Sequence, residues 1–429
     1  MLDTSLFDGP LPVVVYSVAV ALFLYLLLRR PTRTWLLTLL AALGAAVAIQ
    51  TLTVLTIDYW LLPFGVPFEF RVWFWIGTGV ATGCVALANL WNSPWWRKAA
   101  GVLGAATIIL AAMLAVNATY GQYPTLRAAF GLVRYPELPP ELQRAGTPPA
   151  AGQALWQSWV PPAGQPAAGR VFSATIPATT SGFPARTAAV YLPPAALVDQ
   201  PPALPVLIAL PGQPGDPTNL FTAGQLDQIM DRFSASHGGL APIVVAPDQL
   251  GTVNDNPMCV DGPLGNSKTY LTVDVPRWIR ATLPVSNNRL DWVIGGFSQG
   301  GTCSLQLGTG APDLFGSFID ISGEEGPTLG DVPSTVDQGF SGNDAEYDAA
   351  QPLRYLPGRR FADTAAVLVV GELDPTFGPV IREVGSALEA AGVRVDRRVA
   401  AGTGHDWATA RFGFRTGLDV LAARMGLQP

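Results

Sequence analysis

The stretch Trp292-Val293-Ile294-Gly295-Gly296-Phe297-Ser298-Gln299-Gly300-Gly301 joins a short apolar run to a helix-compatible segment through a G-x-S-x-G core. A serine on a tight turn between a buried strand and a helix has its hydroxyl pushed outward. Small residues on both sides let the turn form without collision. The following helix offers free N–H groups and a positive dipole end to a developing oxyanion. Ser298 is therefore the candidate nucleophile.

A serine needs a base at neutral pH, and the chain has two histidines, His237 and His405. In a strand–helix layout the base follows the nucleophile in sequence, which leaves His405, in Gly402-Thr403-Gly404-His405-Asp406-Trp407. His237 sits before two glycines that read as a helix stop, and its expected role is structural. The acid should follow the strand-like Val367–Val370, where Glu372 and Asp374 compete. Asp374 is one step further onto the loop and precedes Pro375, so it is the better placed. Gln299 supplies one predicted oxyanion donor through its backbone N–H. The loop Pro211-Gly212-Gln213-Pro214-Gly215 supplies the other, with Gln213 the preferred residue. This chemistry calls for no metal and no organic cofactor.

Working outward from the motif, short apolar runs at Val171–Ile176, Thr187–Leu192, Pro205–Leu210, Ala241–Ala246, Asp291–Gly295, Phe315–Ile321 and Ala365–Val370 alternate with helix-like stretches. Continuous apolar strands are buried on both faces, so the pattern predicts an α/β domain with a mainly parallel central sheet. The first two runs read as a hairpin. The segment Gly323–Arg360 is a long insert, equally readable as a lid, a substrate wall or a surface excursion.

The chain has 429 residues, 14% charged, with a mean hydropathy of +0.30. That charge content is low for a soluble protein, and the apolar excess lies before about residue 117. Runs over Leu11–Leu28, Trp35–Ile57, Val72–Leu90 and Ala99–Val116 contain no Asp, Glu, Lys or Arg. Each approaches or exceeds the roughly 20 residues that cross a bilayer as a helix. Arg29, Arg30 and Arg33 separate the first two runs, and Arg97 and Lys98 the last two. Basic residues stay on the cytoplasmic side, which predicts a multi-pass protein of the cytoplasmic membrane with its N-terminus and everything after Val116 outside. The bundle reads as an anchor.

The expected division is a four-helix membrane domain over 1–117, a Pro/Ala/Gly-rich linker over 118–170 and a catalytic domain over 171–429. A net charge of −6 and a pI near 5.0 exclude a phosphate-neutralising surface, so nucleic acid is not an expected partner. Three cysteines are too few for a disulfide scaffold. Cys259 and Cys303 would face the oxidising side, as a disulfide or as two buried thiols.

With these residues in hand, residues 171–427 resemble the esterase D and mycolyltransferase group of α/β-hydrolases. The resemblance is carried by Leu210-Pro211-Gly212-Gln213, Tyr270-Leu271-Thr272-Val273-Asp274-Val275-Pro276-Arg277-Trp278-Ile279, the elbow at Ser298 and Gly404-His405-Asp406-Trp407. It implies ester chemistry through an acyl-serine, with Ser298, His405 and Asp374 or Glu372 as triad and Gln213 and Gln299 as oxyanion donors. The expected substrate is an ester, of lipid or acyl-sugar type. Hydrolysis, acyl transfer to a sugar and a non-catalytic envelope scaffold all remain compatible with the resemblance.

Overall fold

The computed structural model describes residues 2–61, 68–150 and 152–428. The chain divides into two compact units, Met1–Val133 and Arg134–Pro429.

In the first unit, helices α1 (Pro10–Leu27), α2 (Arg33–Val54), α3 (Phe70–Ala88) and α4 (Trp95–Tyr120) are antiparallel neighbours. With α2 continued to Leu61, all four are long and apolar enough to cross a membrane. Apolar side chains cover their outer faces, as with Leu37, Leu40, Val47 and Leu52 on α2. Small residues bring backbones close: an added Cβ at Gly101 would stand 2.9 Å from the Ala86 carbonyl, the packing mode of helices without a hydrophobic drive between them. Polar groups gather near one end. Buried Asn89 donates to the Val85 and Leu26 carbonyls at 2.9 and 3.2 Å. Arg97 donates to Asn89 Oδ1 and to the carbonyls of Tyr25 and Leu26. The bonds to Tyr25 and Leu26 satisfy carbonyls at the end of α1, where intrahelical donors run out.

The second unit is built on an eight-stranded sheet. Its strands are β1 (Arg170–Ala174), β2 (Ala188–Leu192), β3 (Val206–Leu210), β4 (Ile243–Ala246), β5 (Trp292–Phe297), β6 (Ser317–Ile321), β7 (Ala365–Gly371) and β8 (Arg394–Ala400). Their spatial order is β1-β2-β4-β3-β5-β6-β7-β8. β1 and β2 form the expected hairpin, β2 runs antiparallel to β4, and every other pairing is parallel. β2 to β7 are buried along their whole length, which explains why they read as unbroken apolar runs. Helices α5 (Leu226–Ser236), α6 (Val275–Thr282), α7 (Gln299–Gly310), α8 (Phe377–Ala390) and α9 (Trp407–Leu421) cover the sheet. The fold is that of an α/β-hydrolase.

The expected linker divides differently. α4 runs on to Tyr120, and from Arg134 the chain belongs to the second unit. Proline-rich sequence has few N–H groups of its own, and here the body of the hydrolase unit accepts from several of them. Leu138 N–H bonds the Ser173 carbonyl while Ser173 N–H bonds Pro136 O, extending the edge of β1. Thr147 pairs with Pro201 and Ala203, Trp156 N–H reaches Gly426 O, and the Trp159 indole donates to Gly238 O at 2.8 Å. A soluble fragment starting at Arg134 is therefore expected to unfold at higher urea than one starting at Val171, measured by circular dichroism.

Candidate active site

Ser298 has φ 58 and ψ −122, a left-handed conformation that a non-glycine residue adopts only when its surroundings impose it. The imposition is visible on both sides. A Cβ at Gly296 would fall 2.3 Å from the Gly300 backbone, and one at Gly300 would fall 2.2 Å from the Leu210 carbonyl. Ser298 N–H bonds the Ile321 carbonyl at 2.8 Å, fixing the turn to the end of β6.

Three side chains that the sequence leaves far apart meet here. His405 Nε2 lies 2.9 Å from Ser298 Oγ, and His405 Nδ1 lies 3.2 Å from Asp374 Oδ2. Both distances are within hydrogen-bond reach. The loop after β8 carries His405, and Asp406 starts α9 by accepting from Thr409 N–H at 2.9 Å. The imidazole is held between rings: Phe377 stacks on it at 4.5 Å and Phe297 lies 4.8 Å away. Asp374 sits on the loop after β7, with Oδ1 accepting from Phe377 N–H at 3.0 Å. Burial pushes its pKa up, but the hydrogen bond and charge of His405 and the Phe377 N–H outweigh burial and hold it below the usual 3.8.

Glu372 does not meet the histidine. It is exposed, and its carboxylate accepts from Gly402 N–H at 2.7 Å, bracing the turn between β8 and the His405 loop. His237 lies elsewhere, stacked on Phe233 and bonded to Phe233 O and Gln428.

The predicted oxyanion loop lies against the nucleophile: a Cβ on Gly212 would be 3.1 Å from Ser298 Cβ. Gln213, next in sequence, turns its side-chain amide away to the Asn254 carbonyl at 2.6 Å. Gln299 is the first residue of α7, so its N–H is one of the orphan donors at a helix start. Arg186, which no motif pointed to, grips Asp248 with two bonds of 2.7 and 3.0 Å and donates to Gly215 O at 3.0 Å. It fixes the far end of the same loop.

Cys259 and Cys303 form a disulfide whose Cα atoms are 5.5 Å apart. It fastens the loop after β4 to α7. Met258 and Val260, on either side of Cys259, pack with Phe340 of the 323–360 insert, and Asn256 donates to Thr328 O. The insert therefore buttresses this loop. Among the described residues, no cluster of three or more His, Cys, Asp or Glu side chains is placed to hold a metal ion.

With this geometry in view, residues 184–359 match the family model for esterases ("Putative esterase"). An uncharacterized protein of Corynebacterium glutamicum is 37% identical over 256 residues, an alignment spanning 58% of this chain and 60% of that protein's length. Among solved structures, a ferulic acid esterase superposes with a TM-score of 0.51 at 20% identity, covering 60% of this chain and 98% of its own. An S-formylglutathione hydrolase from Agrobacterium tumefaciens gives a TM-score of 0.47 at 19% identity, covering 60% and 95%.

Three expectations follow from the site. Asp374→Asn should lower kcat by roughly 10³–10⁴-fold, the scale for removing a triad acid, while Glu372→Gln should change it by no more than about threefold, both read on one chromogenic ester. A carboxyl whose folded pKa is depressed adds stability that is present above its unfolded pKa and is lost as pH falls through the folded value. The stability difference between the parent and Asp374→Asn, from urea titrations, should therefore shrink below about pH 4. Replacing both Cys259 and Cys303 by serine should destabilise the unit by about 2–4 kcal/mol, seen as a lower urea midpoint. Residues 134–429 thus form an α/β-hydrolase unit, within which residues 184–359 match the esterase family model.

Proposed function

We propose that the protein is a membrane-anchored serine esterase that works on the outer side of the cytoplasmic membrane through an acyl-serine intermediate. One observation carries the reading: Ser298 Oγ, His405 and the buried carboxylate of Asp374 lie in one hydrogen-bonded line on a strained elbow.

His405 Nε2 takes the Ser298 proton as Oγ attacks the ester carbonyl. The carbonyl π electrons move to oxygen, and the backbone N–H groups of Gln213 and Gln299 stabilise the resulting oxyanion. Asp374 accepts from Nδ1, holds the tautomer that leaves Nε2 free to receive the proton, and stabilises the imidazolium. The intermediate collapses, and the alkoxide leaves with the proton from His405. Water, deprotonated by the same imidazole, then attacks the acyl-serine and releases the acid. The low folded pKa of Asp374 keeps it ionised while it does this.

Exposed aliphatic side chains support an acyl substrate of lipid or acyl-sugar type. Val253, whose carbonyl receives the N–H of Gly215 in the oxyanion loop, and Leu373, next to Asp374, are both exposed. The four apolar helices support the anchor. The placement of Arg29, Arg30, Arg33, Arg97 and Lys98, together with a disulfide in the hydrolase unit, supports the outward orientation.

Ser298→Ala should lower turnover of p-nitrophenyl esters by on the order of 10⁴-fold or more and abolish labelling by a fluorophosphonate probe. Comparable activity in this variant would remove the esterase reading and leave a scaffold. A panel of acyl lengths, run with and without trehalose and followed by mass spectrometry, should yield free acid in both arms. An acylated sugar as main product would instead identify a transferase.

A further inference from the structure

We propose that Gln249 is a positioning residue that sets the gap between the two halves of the oxyanion site. The inference rests on the reading of Ser298 as nucleophile. Gln249 follows β4 by three residues, at the carboxyl end of the sheet, and its side chain is fully buried. A primary amide carries two N–H groups, and here both are committed. One donates to the Pro211 carbonyl at 2.6 Å and the other to Gln299 Oε1 at 3.0 Å.

These two acceptors belong to the two segments that must hold their donors at a fixed spacing. Pro211 opens the loop that carries Gln213, and Gln299 contributes the N–H next to the nucleophile. Gln299 is held from its other end as well, because its Nε2 donates to Asn256 Oδ1 at 3.1 Å and contacts Cys303 Sγ at 3.3 Å. A chain of contacts therefore runs from the oxyanion loop through Gln249 and Gln299 to the disulfide-anchored loop. Gln249 makes no hydrogen bond to Ser298, His405 or Asp374, so its influence is confined to the oxyanion side.

The chemistry of the position is restrictive. Bridging two carbonyl oxygens in a buried place requires two N–H groups and no net charge. Leucine fills a similar volume without donors, and glutamate, of the same shape, sets oxygen against oxygen. Oxyanion stabilisation falls steeply with donor placement, a misplacement of about 1 Å costing on the order of 10²-fold.

The test uses the full-length chain in detergent, with Gln249→Leu, Gln249→Glu, Gln299→Leu and the Gln249→Leu/Gln299→Leu double variant. Each is measured for kcat and KM on a p-nitrophenyl ester, for fluorophosphonate labelling, and for inhibition by a trifluoromethyl ketone, which forms a tetrahedral oxyanion on the serine. The expected result for Gln249→Leu is a fall in kcat of about 10–100-fold, with KM changed by less than about threefold. Ketone affinity should fall in step with kcat/KM. Gln249→Glu should be at least as impaired, and the loss in the double variant should be smaller than the product of the two single losses, because both singles cut the Gln249–Gln299 bond. If Gln249→Leu does not fold, Gln299→Leu cuts the Gln249–Gln299 bond from the opposite side and must also lower kcat, with ketone affinity falling in step with kcat/KM. The proposal is overturned by a kcat within twofold of the parent, by losses that multiply in the double variant, or by unchanged ketone affinity alongside a reduced kcat. A parent enzyme that fails to label would instead sink the esterase reading, so the two failures are distinguishable.

Discussion

The site depends on the close approach of the nucleophile helix to the end of β3. Gly300 lies so near the Leu210 and Pro211 carbonyls that a side chain there would overlap them. This contact places the start of α7 beside the loop that follows β3, which puts Ser298 and the donors of both segments at one spot. It also forces the backbone of Ser298 into its left-handed conformation. Such strain persists only where neighbouring structure over-determines it. Here β5 and β6 do so: β5 is buried along its length, and the Ile321 carbonyl of β6 holds the Ser298 N–H.

A rigid elbow is of little use unless the imidazole arrives from the correct side. His405 is carried by a loop pinned at several points: Leu373 N–H to Thr403 O, Gly404 N–H to Asp406 Oδ2, and Thr409 Oγ1 to Gly404 O. The rings of Phe297 and Phe377 then fix the imidazole plane. Phe377 also contributes the N–H that holds Asp374, so one residue positions both the imidazole and its carboxylate partner. Dry aromatic walls around the ring strengthen its hydrogen bonds relative to water.

How much of this was legible in the sequence follows from where each signal resides. The parallel sheet was readable because strands buried on both faces leave unbroken apolar runs, and Ser298 because steric demands put glycines at fixed offsets. His405 was found by scarcity, since only one histidine follows the serine. Asp374 was preferred to Glu372 for its place one step further onto the loop and before Pro375, and the coordinates put its carboxylate, with that of Glu372 turned to Gly402, beside His405. Gln249, Arg186 and Phe377 left no motif; these partners lie 28 to 62 positions away in the chain, with only their place just beyond or before a strand as a hint. The Pro-rich stretch is a related case. Composition reports stiffness, but whether a stiff segment stands free or lies along a domain depends on the few N–H groups and apolar side chains it presents.

The disulfide gives the site's chemistry a physical link to its compartment. Cys259 joins the loop after β4 to α7, and Gln299 and the 323–360 insert lean on that loop, both of them bonded to its Asn256. A loop of this length with little secondary structure would otherwise carry much of its own ordering cost, since closing it depends on weak polar contacts. Cross-linking removes part of that cost from the unfolded ensemble. The bond persists in an oxidising environment, and the basic residues between the apolar helices favour that same side for the hydrolase unit. Two unrelated features, a disulfide in one unit and charge placement in the other, are thus the support for the orientation we propose.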